Sequence, residues 1–234
     1  VKIGIFETDR LDHAIQEKHG SYSTMFQTLL SAVDDRLVFE TYDVVHFEYP
    51  ENVTDCDAYL ITGSKSSPYE DKAWMRRLEE EIRLLHAREK KLIGICFGHQ
   101  LIAQALGGEV KKSDLGWGVG LATQHLMTEK PWMGKVAKTF QILVSHQDQV
   151  TKLPPEAECI AGNDFCPNGG FQVGQHMLTF QGHPEFQPAY LRQLISGRRE
   201  IIGAPRAAQA LASLDAPNDH PQIARWILDF LKTA

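Results

Sequence analysis

Two short stretches of this 234-residue sequence carry the residue types that make and break acyl bonds. The first is Gly94-Ile95-Cys96-Phe97-Gly98-His99-Gln100, at the end of an apolar run that begins at Leu92. A Gly-x-Cys-x-Gly turn between a strand and a helix is the arrangement of a nucleophile elbow. Glycines two residues to either side let strand and helix close on a strained nucleophile. The start of the helix aims free N–H groups and the positive end of its dipole at the sulfur, which favours thiolate. By itself the turn is explained as well by a buried structural cysteine. The second stretch is Gly182-His183-Pro184-Glu185-Phe186, just after the apolar segment Met177–Gln181. In extended backbone, residues two apart point the same way, so Glu185 can hold the His183 imidazole in one tautomer. Read alone, it is a surface turn with a solvated histidine and glutamate. Acyl transfer also needs donors for an oxyanion. The backbone N–H of Phe97, next to the cysteine, is one. The N–H of Gly63, in Thr62-Gly63-Ser64, is the other, although a plain turn glycine explains Gly63 equally.

The elements that must position these residues alternate in type. Val1–Glu7, Leu37–Val45, Ala58–Thr62 and Leu92–Cys96 read as strands. Ser21–Ala32, with Ser21 as N-cap, Ala73–Glu89 and Gly98–Leu106 read as helices, the last stopped by Gly107-Gly108. Such alternation predicts a parallel sheet covered on both faces, with ligands at the carboxyl ends of its strands. Gly63 and Cys96 both fall at such ends. Beyond Gly107 the pattern changes. Val119–Leu126, Thr139–Val144, Glu158–Gly162, Phe171–Val173 and Met177–Gln181 read as short strands, and Gln187–Gly197 and Gln222–Leu231 as helices. Ala204–Pro221 reads as a surface connection. No linker or internal repeat divides residues 1–234, so one domain is expected.

Composition narrows the chemistry further. Hydrophobic residues make up 43% and charged residues 23%, the balance of an ordinary globular protein, and the formal charge is −6. No basic patch with interleaved aromatics points to nucleic acid. No apolar run is long enough to span a bilayer, and none reads as a signal peptide. The four cysteines, Cys56, Cys96, Cys159 and Cys166, form no CxxC pair and read as reduced and cytoplasmic. No histidine spacing suggests a metal. Gly63-Ser64-Lys65-Ser66 lacks the spacing of an ATP loop, and Gly116-Trp117-Gly118-Val119-Gly120 runs into a strand, where a dinucleotide fingerprint requires a helix. Trp74, Trp132, Met133 and Tyr69 read as packing residues, Glu79-Glu80-Glu81 as a solvated helix face, and His99 as a packing residue. His146 is open between packing and the site.

Together these motifs resemble the class I, or triad, glutamine amidotransferase family, in the flavour of GMP-synthase-like amidotransferase domains. The cysteine elbow and His-Pro-Glu occur in the family's order. Val144-Ser145-His146-Gln147-Asp148-Gln149-Val150 is similar to the segment that lines the glutamine pocket, and Ile61-Thr62-Gly63-Ser64 to the oxyanion strand. The resemblance runs from Ala58 to Phe186. It implies a single-domain α/β fold, a mostly parallel, flavodoxin-like central sheet flanked by helices. It implies a glutaminase-type cysteine amidohydrolase with Cys96, His183 and Glu185 as triad, Gly63 and Phe97 as oxyanion hole, and Gln100, Ser145, Gln147 and Asp148 as substrate-binding residues. Cys96 would form a γ-glutamyl thioester and release ammonia; no metal or other cofactor is needed. Because no synthetase segment follows in this sequence, the acceptor enzyme would be a separate partner; a homodimer is left open.

Three other readings are compatible with the residues. A free-standing γ-glutamyl peptidase or amidase would use the same thioester chemistry, with Trp117 and Tyr69 shaping a pocket wider than glutamine. A non-catalytic binding module would have no need of all three triad residues. An α/β-hydrolase with a cysteine nucleophile would place an acid between Cys96 and His183 in the chain.

Overall fold

The computed structural model describes residues 1–135 and 137–233. Its strands are β1 (Lys2–Glu7), β2 (Val38–Asp43), β3 (Ala58–Ile61), β4 (Lys91–Ile95), β5 (Glu109–Lys112), β6 (Gly118–Leu126), β7 (Thr139–His146), β8 (Asp148–Lys152), β9 (Ala157–Gly162), β10 (Gly170–Val173) and β11 (Met177–Phe180). Its helices are α1 (His13–His19), α2 (Tyr22–Ser31), α3 (Ala73–Ala87), α4 (Phe97–Ala105), α5 (Pro188–Gly197), α6 (Arg199–Ile202), α7 (Ala204–Ser213) and α8 (His220–Leu231). The main sheet has nine strands in the order β2-β1-β3-β4-β11-β10-β9-β6-β7. The five strands from β2 to β11 are mutually parallel, and the rest pair antiparallel. A second sheet, β5 against β8, stands apart from it.

The parallel half is buried on both faces because its side chains alternate. Ile3, Ile5, Leu60, Ile93, Ile95, Leu178 and Phe180 face one way, into a core closed by Phe26 and Leu30 of α2 and Ile223, Ile227 and Phe230 of α8. Phe6, Tyr59, Ile61, Leu92 and Met177 face the other way, toward Trp74, Leu78, Ile82 and Leu85 of α3 and Leu101 and Ile102 of α4. Every one of these side chains is essentially out of solvent. Ser21 caps α2 as its position suggests, accepting the Thr24 N–H at 3.3 Å.

The structure departs from the sequence reading in four places. The strand read to Val45 stops at Asp43, whose side chain accepts the His46 N–H at 3.3 Å and turns the chain into one turn of 3₁₀ helix. The stretch from Ala204, read as a surface connection, opens with helix α7. Pro205 sits in its first turn, where no N–H is needed, and Ala207, Ala210 and the following Leu214 are buried. Within the helix the fully buried positions are the small alanines Ala207 and Ala210, so its periodicity is faint in the sequence. Glu81, read as solvated, is buried and paired with Arg77 at 2.9 Å. The fourth departure is the elements to which the sequence reading gave no assignment: helices α1 and α6, and strands β5 and β8, which form the second sheet.

Candidate active site

The elbow forms because two glycines leave no room for anything else. A Cβ on Gly94 would lie 2.6 Å from Ile102 Cδ1 and 2.8 Å from the Gly98 backbone; one on Gly98 would lie 2.5 Å from the Ile61 carbonyl. Strand β4 can therefore turn into α4 in a single residue, and Cys96 absorbs the turn with φ 53° and ψ −99°. A side chain in that region is strained and is held there by its surroundings. The Cys96 N–H donates to the Phe180 carbonyl at 2.9 Å, and its own carbonyl accepts the Gln100 N–H at 3.0 Å.

His183 arrives from the next strand. β11 runs parallel to β4 with Phe180 opposite Ile95, so the two chains leave the sheet at the same edge. The His183 N–H donates to Leu143 of β7 at 2.7 Å, which holds the backbone beyond β11 in place. Its Nδ1 is 2.7 Å from Glu185 Oε1, and its ring and the Cys96 side chain both stand against Gly63. Both His183 and Glu185 are buried. Burial pulls the imidazole pKa down, but the Glu185 carboxylate and the Cys96 sulfur more than reverse this and raise it to about 10. The ring also stacks on Phe186.

Gly63 closes the third side. A Cβ there would meet His183 Cε1 at 2.8 Å and Cys96 Cβ at 3.7 Å, so the backbone of Gly63 lies directly against both. The hydroxyl of Thr8 donates to the Gly63 carbonyl at 2.8 Å, and that of Thr62 to the same oxygen at 3.2 Å. These bonds fix the peptide that follows Gly63. Neither the Gly63 nor the Phe97 N–H donates a hydrogen bond among the described residues. The site can therefore offer a nucleophile, a base held by a carboxylate, and two free backbone donors.

Beyond Cys96 opens a cleft of about 350 Å³. Gln100, Ser145, Gln147 and Asp148, expected from sequence, all line it. Asp148 is held from both oxygens, by Ser67 Oγ at 2.6 Å and Tyr69 OH at 2.7 Å. The Ser145 hydroxyl is buried with no partner among the described residues. The Gln100 side-chain amide donates instead to the Asp148 carbonyl at 2.7 Å and to Gln181 at 3.1 Å, so it shapes the cleft wall from behind. His146 lines the cleft as well, its Nδ1 3.1 Å from the Asp148 carbonyl. Burial holds its pKa down at about 4 despite that bond, and His183 pushes the same way. His99 is a packing residue, buried against Phe171 and bonded to Thr179 at 2.8 Å. A second cavity of about 260 Å³ shares the Trp117 and His146 wall on the side of α7. Sequence reasoning missed Thr8, Lys112, Arg198 and Ile201, which lie far from the motifs in the chain. It quoted Phe186 within a motif without giving it a role. Tyr69, read as a packing residue, is exposed in the cleft.

Among the described residues no helix is long and apolar enough to cross a membrane, and no group of metal-ligating side chains is found. All four cysteines are free.

The chain has known relatives. A glutamine amidotransferase-like protein of Schizosaccharomyces pombe is 30% identical over 98% of this chain and 98% of its own. Gamma-glutamyl peptidase 4 of Arabidopsis thaliana is 30% identical over 77% of this chain and 74% of its own. The crystal structure of a glutamine amidotransferase from Thermotoga maritima, 16% identical, superposes with a TM-score of 0.75 over 98% of this chain and 96% of that one, a likeness of fold. The model of the class-I glutamine amidotransferases matches residues 21–195. The α/β architecture, the chain-long relatives and this match lead to one conclusion: the chain belongs to the class-I glutamine amidotransferase family and is an enzyme of its amidohydrolase type.

Proposed function

We propose that this enzyme hydrolyses γ-glutamyl amides through Cys96, His183 and Glu185. Cys96 attacks the γ-carbonyl and forms a C–S bond. The oxyanion that develops is met by the Gly63 and Phe97 N–H groups. His183, already carrying the thiol proton as imidazolium beside the Cys96 thiolate, delivers it to the departing nitrogen as the C–N bond breaks. Water then attacks the γ-glutamyl thioester, His183 receives its proton, and the C–S bond breaks to give glutamate and free thiol. Asp148 and Ser145 bind the α-amino and α-carboxylate end, with Gln147 beside them and Gln100 positioning Asp148. The observation that carries this reading is the approach of Gly63, Cys96 and His183, with a Cβ at Gly63 only 2.8 Å from the imidazole.

Within that chemistry the cleft favours γ-glutamyl peptides or conjugates over glutamine alone. It continues past Cys96 to Trp117 and Ile201, apolar side chains for which the ammonia leaving group of glutamine has no use. The gamma-glutamyl peptidases among its relatives support the same choice. With glutamine as substrate the product would be ammonia, supplied to a separate synthetase partner in the same compartment, which we take to be the cytoplasm.

The test is labelling by a diazo-ketone analogue of glutamine, read by mass spectrometry, wild type beside Cys96→Ala, followed by turnover of glutamine and of γ-glutamyl dipeptides. Labelling at Cys96 with faster cleavage of the dipeptides is expected. Cleavage of glutamine alone, stimulated by an added synthetase, would move the reading to ammonia supply. Absence of labelling at Cys96 would end the catalytic reading.

A further inference from the structure

The charge of the cleft does not match the charge of the protein. The chain as a whole carries a formal −6. Yet the charged side chains that line the cleft are Lys65, Lys112 and Arg198 against one carboxylate, Asp148, with His146 neutral beside them. Lys65 is paired with Asp9 at 2.8 Å. Among the described residues, Lys112 and Arg198 have neither an ion-pair nor a side-chain hydrogen-bond partner. Arg198 is half-buried, at the end of α5, beside the exposed Ile201 of α6. A guanidinium partly removed from water without a carboxylate is poised for an anion, and its planar fork fits a carboxylate with two bonds. Excess cations in a cleft of low-dielectric walls focus the field on whatever enters.

The substrate must supply the missing negative charge. Glutamine cannot, because its α-ammonium and α-carboxylate cancel. Asp148 answers the ammonium and Lys112, opposite it in the β5–β8 ladder, answers the α-carboxylate, which leaves Arg198 over. A γ-glutamyl compound whose leaving amine carries its own carboxylate brings a net negative charge and a second anion at the far end of the cleft. We propose that this enzyme selects γ-glutamyl compounds with an anionic leaving group, and that Arg198 binds that group's carboxylate. The proposal rests on the γ-glutamyl reading above and adds the charge of the leaving group. Arg198 sets specificity through the departing amine, and the apolar faces of Trp117 and Ile201 lie beside it.

The experiment compares γ-glutamylglycine with γ-glutamylglycinamide, which differ only in the terminal charge. For the wild-type chain, kcat/KM for the carboxylate should exceed that for the amide by about tenfold or more, mostly through KM. Raising the salt from about 0.05 M to 0.5 M should erode that preference while the amide rate stays level, because the added ions screen the cations. Arg198→Gln should cut the preference about threefold to tenfold; Lys112→Gln should slow both compounds alike and keep the preference; Lys138→Gln, on an exposed residue away from the cleft, should change nothing. The salt series needs no variant, so a substitution that fails to fold leaves the test intact. Equal kcat/KM for the two compounds, or a preference that survives Arg198→Gln, overturns the anionic-leaving-group proposal and leaves the γ-glutamyl reading standing. Hydrolysis of neither compound, with glutamine still hydrolysed, overturns both.

Discussion

Phe186 lies flat against the His183 imidazole, ring centroids 3.8 Å apart and planes 7° from parallel. A histidine that must accept a proton from one atom and return it to another has to keep its plane, and here two groups fix it. Glu185 holds one nitrogen and the Phe186 face blocks rotation about the remaining axis. Phe186 is itself wedged by Tyr190, edge-on at 4.6 Å, and by Tyr22 at 6.1 Å. Phe186→Leu keeps the site apolar but removes the flat support. The expected result is a fall in kcat of about tenfold to a hundredfold with KM little changed, since a small misplacement of a catalytic group costs that much. Steady-state kinetics on any turned-over γ-glutamyl substrate decides it. Unaltered kcat would show that Glu185 orients the ring unaided.

Gly63→Ala inserts one methyl group where the imidazole stands 2.8 Å away. His183 cannot retreat, because Phe186 lies on its face. The displaced backbone should carry the Gly63 N–H out of register, with a loss in kcat of about a hundredfold or more. Circular dichroism should be unchanged, which separates a moved donor from a misfolded chain. Full activity would remove Gly63 from the oxyanion hole.

Glu185→Gln keeps the size of the side chain and removes its charge. The folded His183 holds its proton up to about pH 10 against an ordinary value of 6.5. Stability from that shift is fully present below pH 6.5 and is lost as pH rises through 10. Without the carboxylate the imidazole pKa should drop, and the fall in melting temperature between pH 7 and 10 should flatten. Activity should fall by about 10⁴, the scale of losing the group that fixes a catalytic histidine's tautomer. A melting profile parallel to wild type would deny Glu185 that electrostatic role.

Acid should act through other histidines. Burial lowers the pKa of His99 to about 3 and of His146 and His220 to about 4. The unfolded chain takes up these protons near pH 6.5 and the folded chain does not. Their contribution is therefore intact above pH 6.5 and is lost as pH falls toward 4 and 3. The melting temperature should decline steadily below pH 6.5. In His220→Gln the decline should be shallower, although the variant starts lower at pH 7 because the Leu143 N–H, which donates to His220 Nε2 at 3.3 Å, loses its partner. A slope identical to wild type would count against His220.

Helix α7 packs on β6 across Gly120, which has φ +101° and would place a Cβ 2.6 Å from Ser213 Oγ and 3.0 Å from Ala210 Cα. Gly120→Ala should cost about 1–3 kcal/mol, as overpacking does, seen as a lower urea midpoint. An unchanged midpoint would mean that α7 shifts freely on the sheet.

The legibility of the molecule followed the strength of its local signals. Strand β4, the elbow and α4 were readable because apolar run, glycine spacing and helical periodicity sit in consecutive residues. Helix α7 was not, because Ala207 and Ala210 are small, and their contact with β6 depends on a glycine over eighty residues earlier. The burial of Glu81 was hidden for a similar reason: its partner Arg77, one turn away on the same face of α3, packs over Tyr49, and that contact is made between elements. Thr8 gave no sign at all, since only pairing of β1 with β3 brings it to the Gly63 carbonyl.

By itself, the sequence determined the types of group the enzyme has to work with. It set a cysteine at a strand end that only flanking glycines permit, a histidine two residues from a glutamate, and alternating elements that make the sheet parallel. Those are properties of neighbouring residues, governed by sterics and periodicity over a few positions. The tertiary structure alone decided that β11, the last strand in the chain, pairs beside β4. That register brings His183 to Cys96 across 87 positions of sequence. It alone decided that Lys112 and Arg198, from unrelated segments, share one cleft with Asp148. Coulomb and hydrogen-bond energies depend on distance in space, and only the folded chain fixes those distances.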